Sequence, residues 1–340
     1  MKAALLYGPR DIRVEDVSEP RIHKGEVLIK PHRVGICGSD LNRYRRGIKI
    51  SYPLVMGHEC CGDIVQLGEG VTDLKVGQRI AILPNFGCGN CFHCRMGREN
   101  LCPNKVSLGV TVDGCFAEYV KIPARYAWSI LDNISDDEGA AIEPVAVARR
   151  AVQKMGNLLG RWVMILGAGS IGLFVLQVAK EAGAKVVVAD IIEERLTLGK
   201  KSGADGVINV SRDGLEQSIM SLTEGQGIDV VVETAGGAKT LEQAIEIVKA
   251  GGKIILLGLP HDPTNIASDL IVRKEIEIVG SIIYSHEDFS QAIQLIREDR
   301  VAVAPLITHS FSLNDIQEAF DMSDKGQGIK MMIDLTKGTA

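Results

Sequence analysis

The stretch Trp162-Val163-Met164-Ile165-Leu166-Gly167-Ala168-Gly169-Ser170-Ile171-Gly172 decides the fold. Five apolar residues predict a strand buried on both faces, and the G-x-G-x-x-G that follows opens a helix predicted over 171–181. Gly167 permits the tight turn, Gly169 lets backbone approach a pyrophosphate, and Gly172 lets helix and strand pack closely. The helix N-terminus, beginning at Ser170 and Ile171, then offers free N–H groups and positive dipole to the phosphates.

Outward from this turn the pattern repeats. Val/Ile-rich runs at 185–189, 229–233 and 253–257 predict three more strands, with helical segments between them, 240–248 among them. Together they mark 145–280 as a doubly wound parallel α/β domain. The second strand ends at Asp190, eighteen residues after Gly172. A carboxylate there accepts hydrogen bonds from the adenosine ribose and repels a 2′-phosphate, so NAD is expected over NADP. Arg195 softens that preference, with Glu193 and Glu194 beside it.

The N-terminal half reads differently. Short runs at 26–30 and 63–67 predict strands, and Gly68, Gly70 and Gly77 punctuate turns. This half is expected to be a small β-barrel or sandwich. A helical stretch opens at Pro144, and the tail, 281–340, carries an amphipathic helix around 289–297 and is expected to return to the first domain.

Cys88, Cys91, Cys94 and Cys102 read C-x2-C-x2-C-x7-C. Thiolates at that density suit tetrahedral Zn2+, with Zn–S bonds of about 2.3 Å. Four sulfurs leave no open position, so this metal, in a lobe at about 86–104, would be structural. Chemistry must then be sought at Cys37 and His58. Cys60, Cys61 and Cys115 read as small core residues.

The composition narrows the class. Of 340 residues 46% are hydrophobic and 24% charged, as in a folded globular chain of about two domains. With 38 Lys+Arg against 43 Asp+Glu the net charge is -5, which argues against nucleic acid as the main partner. No apolar run approaches the roughly 20 residues of a membrane span. MKAALLYGPRDIRVED meets charge too early for an export signal, and a metal-type cysteine cluster suits a reducing compartment, so the cytoplasm is expected.

The segment Val34-Gly35-Ile36-Cys37-Gly38-Ser39-Asp40, then Gly57-His58-Glu59, the cysteine lobe and the glycine motif, in that order, resemble the zinc-containing medium-chain dehydrogenases of the alcohol dehydrogenase superfamily. Ala141-Ile142-Glu143-Pro144-Val145 is similar to the polyol (sorbitol) and sugar-acid dehydrogenase branch. The resemblance covers essentially the whole chain. It implies a GroES-like β-rich catalytic domain over 1–144 and 281–340 and a Rossmann NAD-binding domain over 145–280. It implies a catalytic zinc on Cys37, His58 and Glu143, with Glu59 behind them or alternating as ligand, and Ser39 passing on the substrate proton. The implied reaction moves a hydride from a secondary hydroxyl of a polyol, sugar acid or related sugar derivative to NAD, in a homotetramer or dimer.

Two residues depart from the branch. Asn42 stands where polyol dehydrogenases often carry a relay histidine, and Ile283 where sorbitol dehydrogenase carries an arginine; Tyr284 remains as a substrate contact. Both count against sorbitol itself. Arg43, Arg45, Arg46 and Lys49 are either an anion trap for a substrate carboxylate or phosphate or a solvated loop. An L-threonine 3-dehydrogenase or a simple secondary-alcohol dehydrogenase is the competing enzyme reading. A zinc-ribbon binding protein is the competing class, disfavoured by the negative charge and by having only Phe86 and Phe92 as aromatics near the lobe.

Overall fold

The computed structural model describes residues 1–47, 51–260 and 263–337, so Lys49 and His261 lie outside the described residues. The chain divides into two compact units. One comprises Met1–Glu143, Ser285–Arg297 and Val303–Ala340; the other comprises Pro144–Tyr284 and Glu298–Ala302.

The second unit is built on a six-stranded parallel sheet. Its order is Gly206–Asn209, Lys185–Asp190, Trp162–Leu166, Ile228–Glu233, Val248–Leu256, Glu277–Gly280. All five residues of Trp162–Leu166 are buried, as a central strand covered on both faces requires. The first strand in sequence lies mid-sheet and the order reverses beside it, between Trp162–Leu166 and Ile228–Glu233. That is the switch point at which doubly wound sheets bind ligands. Leu166 pairs with Ala189 on one side and Glu233 on the other, so Gly167, Asp190 and Thr234 emerge level at the carboxyl edge. The two outermost strands, Gly206–Asn209 and Glu277–Gly280, have four residues each and were too short to stand out as apolar runs.

The first unit holds a seven-stranded sheet. Ala127–Ser129, Arg79–Ile82, Glu59–Leu67, Glu26–Gly35, Lys330–Asp334 and Ile307–Ser312 follow one another, and Val120–Pro123 also pairs with Glu26–Gly35. Two of these strands come from the tail. Glu59–Leu67 runs antiparallel to Glu26–Gly35, with Gly35 opposite Glu59. Lys330–Asp334 covers the other edge of Glu26–Gly35, with Met332 opposite Gly35. The C-terminal end of Glu26–Gly35 thereby meets the N-terminal parts of Glu59–Leu67 and Lys330–Asp334 around residue 35.

One helix starts earlier than the sequence reading placed it. It runs Asp136–Met155 with Pro144 inside it. Its start is fixed by a capping box: the Glu138 N–H donates to Ser135 Oγ at 3.3 Å, and the Ser135 N–H to Glu138 Oε2 at 2.8 Å. Pro144 only deletes one bond, to the carbonyl four residues back, which the turns on either side tolerate. Among the described residues, no helix is long and apolar enough to cross a membrane.

Candidate active site and metal centres

The glycine turn has the form a dinucleotide needs. Gly167 takes φ 107°, a region L side chains avoid, and its N–H donates to the Ala189 carbonyl at 2.9 Å. A Cβ on Gly172 would lie 2.0 Å from the Gly167 carbonyl oxygen, so only glycine fits there. Gly169 caps the helix Ser170–Glu181 without a side-chain bond, and a Cβ on it would meet open space. The N–H groups of the first turn, starting at Ser170, are thus left for an anion that can come close. Asp190 Oδ2 accepts from the Ala168 N–H at 2.7 Å, and Oδ1 accepts from Ile191 and Ile192 at 2.7 and 2.9 Å. The carboxylate that would read the ribose is therefore locked to the turn itself. Arg195 lies 4.0 Å from Asp190 Oδ2. A residue the sequence reading did not single out completes the turn: Thr234 Oγ1 donates toward the carbonyls of Leu166 and Gly167 at 2.9 and 3.0 Å.

In the cysteine lobe the donor atoms of Cys88, Cys91, Cys94 and Cys102 all lie within 4.8 Å of one another. Among the described residues this is the one such group of three or more His, Cys, Asp or Glu. Zn–S bonds of about 2.3 Å at tetrahedral angles put sulfurs about 3.8 Å apart. Cys88 and Cys94 sulfurs are 4.0 Å apart, so the donor set fits a zinc ion with little movement. The backbone builds this locally. Cys91 caps the short helix Phe92–Arg95 and accepts the Cys94 N–H at 3.5 Å, while Cys102 accepts the Cys88 N–H at 3.4 Å. Glu99, inside the lobe, ties it to the body: it accepts from the Tyr126 hydroxyl at 2.7 Å and lies 3.4 Å from His286 Nε2.

The other centre is assembled over long range. Cys37 caps the helix Gly38–Arg46; its Sγ accepts the Ser39 N–H at 3.5 Å, and its own N–H donates to Asp40 Oδ2 at 3.1 Å. The other carboxylate oxygen, Asp40 Oδ1, lies 3.4 Å from His58 Nδ1. Asp40 is fully buried; burial would raise its pKa, but the His58 charge lowers it, so it stays a carboxylate. Burial likewise opposes a charged His58, yet Asp40 and then Cys37 push its pKa well up in the metal-free chain. A metal on Nε2 would need the proton on Nδ1, which faces Asp40 Oδ1 across that 3.4 Å ion pair. Glu143 is 7% exposed, on the Asp136–Met155 helix. A thiol, an imidazole and a carboxylate with an acid behind the imidazole fit a zinc site with one open corner. Glu143 is not gathered with Cys37 and His58 into so tight a group as the lobe sulfurs.

Glu59 is 1% exposed and its Oε2 is paired with the Lys330 ammonium, itself 1% exposed. A Cβ on Gly35 would collide with Glu59 Oε2 at 2.1 Å, so glycine at 35 is what lets the carboxylate reach across. Burial alone would lower the Lys330 pKa; Glu59, then Cys37, raise it above the ordinary value. Sequence reading passed over both Asp40 and Lys330. The signals were present: an acid three residues after a candidate ligand, and a lone charge inside the apolar run Ile329–Ile333.

Of the candidate substrate residues, Arg43 donates from Nη1 to the Ser39 carbonyl of its own helix at 2.8 Å, and Arg45 pairs with Asp324. Tyr284 is 2% exposed in the second unit, beside Ile283, whose left-handed φ of 55° is one that β-branched residues avoid. Cys60, Cys61 and Cys115 are buried core residues.

Comparison with known proteins agrees with this architecture. Residues 23–132 match the alcohol dehydrogenase GroES-like domain, and residues 170–298 match the zinc-binding dehydrogenase family. The chain is 36% identical to sorbitol dehydrogenase of Bacillus subtilis (strain 168) over 98% of its length and 97% of the relative's. It is 35% identical to L-threonine 3-dehydrogenase of Escherichia fergusonii over 98% of its length and 99% of the relative's. Among solved structures, an alcohol dehydrogenase of E. coli CFT073 complexed with cofactor NADH superposes with TM-score 0.92 at 33% identity, covering 98% of this chain and 99% of that one. The chain belongs to the zinc-type medium-chain dehydrogenases. It is accordingly an oxidoreductase of a class acting on CH–OH groups, with a GroES-like and a Rossmann domain.

Proposed function

We propose that this enzyme oxidises a secondary hydroxyl of a polyol, sugar acid or related sugar derivative with NAD as hydride acceptor. The observation that carries the reading is the Cys37–His58–Asp40 arrangement, its His58 and Asp40 buried, on the unit that also holds Glu143. Cys37, His58 and Glu143 would hold the catalytic zinc, and the four lobe sulfurs a structural one. Zinc bound at Cys37, His58 and Glu143 supplies a Lewis acid that makes a hydroxyl proton leave near neutral pH. NAD supplies the hydride acceptor, and the protein supplies its alignment. Asp40 holds the His58 tautomer and Cys37's helix cap at once, so one buried carboxylate positions two ligands. Ser39, whose backbone N–H donates to Cys37 Sγ, passes the hydroxyl proton on in this reading; Asn42 cannot take it by titrating. Asp190, with its oxygens fixed toward the turn, reads the ribose and disfavours a 2′-phosphate, while the neighbouring Arg195 limits how strongly.

A second reading, L-threonine 3-dehydrogenase, is favoured by the 35% relatives of that name. A panel of polyols, aldonates, sugar phosphates and threonine, followed by NADH absorbance, separates them. Turnover confined to threonine would replace the polyol reading, and no turnover with any hydroxyl compound would remove both.

A further inference from the structure

We propose that Gly139 is a positioning residue: it lets the Asp136–Met155 helix close onto the strand Glu59–Leu67 in the one register that brings Glu143 to the His58 end of that strand. The inference rests on Cys37, His58 and Glu143 being the metal's ligands.

Three points along the helix meet three points along the strand in reverse order. At the helix start, His32 bridges the two elements: its Nδ1 lies 3.1 Å from Asp136 Oδ2 and its Nε2 lies 3.5 Å from Asp63 Oδ2. Arg79, opposite Asp63 on the next strand, pairs with Asp136 Oδ1 at 3.3 Å. One turn on, Gly139 faces Cys61. A Cβ there would lie 2.6 Å from Cys61 Sγ, 2.9 Å from Cys61 Cβ and 3.0 Å from Ile130 Cδ1. Cys61 is wholly buried, so its short side chain has little room to yield. Two turns on comes Glu143. Burial lowers the Lys330 pKa, while Glu59, Cys37 and then Glu143 raise it, so Glu143 lies within electrostatic reach of the ammonium that is paired with Glu59.

Residues 136, 139 and 143 are spaced by three and four, so they share one face of the helix. That face lies along the strand from Asp63 through Cys61 to Glu59, the residue after His58. Glycine inside a helix costs stability relative to alanine; the close approach to Cys61 is what it makes possible. Pro144 removes the backbone bond to the residue-140 carbonyl, so the turn carrying Glu143 has one internal tie fewer and takes its place from what the helix packs on. Any lift or slide forced at 139 passes to 143, one turn away.

The test uses the full-length holoenzyme with cobalt in place of zinc, because cobalt absorption reports the number and kind of ligands. The four-sulfur lobe makes its own, constant contribution. Gly139→Ala is expected to shift the active-site bands and to weaken metal affinity at that site about tenfold, with the lobe bands unchanged. The double variant Cys61→Gly/Gly139→Ala removes the obstructing side chain and is expected to return bands and affinity toward wild type. A glycine without this role would behave differently. Alanine, the better helix former, would then raise the melting temperature and leave bands and affinity alone, and that result would overturn the proposal. Should Gly139→Ala fail to fold, Asp136→Asn decides, because it loosens the helix start without adding a heavy atom. Weaker active-site metal with unchanged lobe bands supports the register, and wild-type bands and affinity contradict it. Glu143→Ala separates the two levels of the argument. Unchanged bands in that variant remove the ligand assignment, and the role of Gly139 falls with it. Altered bands there, beside wild-type bands in Gly139→Ala, remove the role of Gly139 alone.

Discussion

The four-cysteine lobe and the proposed Cys37–His58–Glu143 site draw their donors from the chain in opposite ways. The lobe takes four sulfurs from fifteen consecutive residues and closes them with backbone N–H groups of the same segment. The proposed other site takes its donors from residues 37, 58 and 143, with buried charges beside them, Asp40 and Glu59 from the ligands' own segments and Lys330 from near the C-terminus. A local cluster needs little of the fold and leaves no place for substrate. A long-range one needs the sheet, and three proposed protein donors leave one corner for substrate. The proposed contrast is between a site filled by protein donors and a site left open at one corner.

The largest expected break of this contrast is Cys37→Ser. It should cost kcat about a thousandfold or more, roughly 4 kcal/mol of transition-state stabilisation, while leaving the lobe's zinc and the melting temperature close to wild type. Steady-state kinetics with metal analysis checks both halves. Cys94→Ser should do the reverse. Structural zinc contributes directly to folding, so the melting temperature should fall by roughly 10 °C, with kcat of the protein that remains folded little changed. If the two variants gave the same profile, the division of labour between the sites would be wrong.

A pH measurement sharpens the lobe's side. Burial would raise the Glu99 pKa, but the Tyr126 hydroxyl and His286 hold it below its ordinary 4.5. The folded state then binds fewer protons than the unfolded state, so this contribution is complete above the unfolded value and is lost as pH falls through the folded one. Glu99→Gln should therefore flatten the acid loss of stability below about pH 4.5 and leave neutral kcat unchanged. Thermal melts of the two proteins across that range check it; identical pH slopes would contradict it.

Much of this was legible in the sequence, and what was not has a common cause. The glycine turn, the four buried strands at its side and the cysteine lobe are local patterns, in which neighbours in sequence are neighbours in space. Asp40, Thr234 and Lys330 act on residues brought to them by the sheet: Lys330 reaches Glu59 across 271 positions. Only the alternation of a strand and one misplaced charge hinted at it. The start of the Asp136–Met155 helix was hidden for a different reason. Pro144 suggested a first turn, while the Ser135–Glu138 capping box that fixes the helix start went unread.

The smallest expected effect concerns the basic cluster after Cys37. Arg43 already bonds its own helix, and Arg45 is paired with Asp324. Arg43→Ala should change the ratio of kcat/KM for a sugar acid over its polyol by no more than about twofold, the range of ordinary surface substitutions. A larger drop would restore the anion trap.

Graded removal of metal tests the central claim most directly. A chelator should strip the more open site first. Turnover should fall in step with that first zinc equivalent, while the melting temperature holds, and added Zn2+ should restore it. Full turnover in protein that keeps only the lobe's zinc would contradict the account.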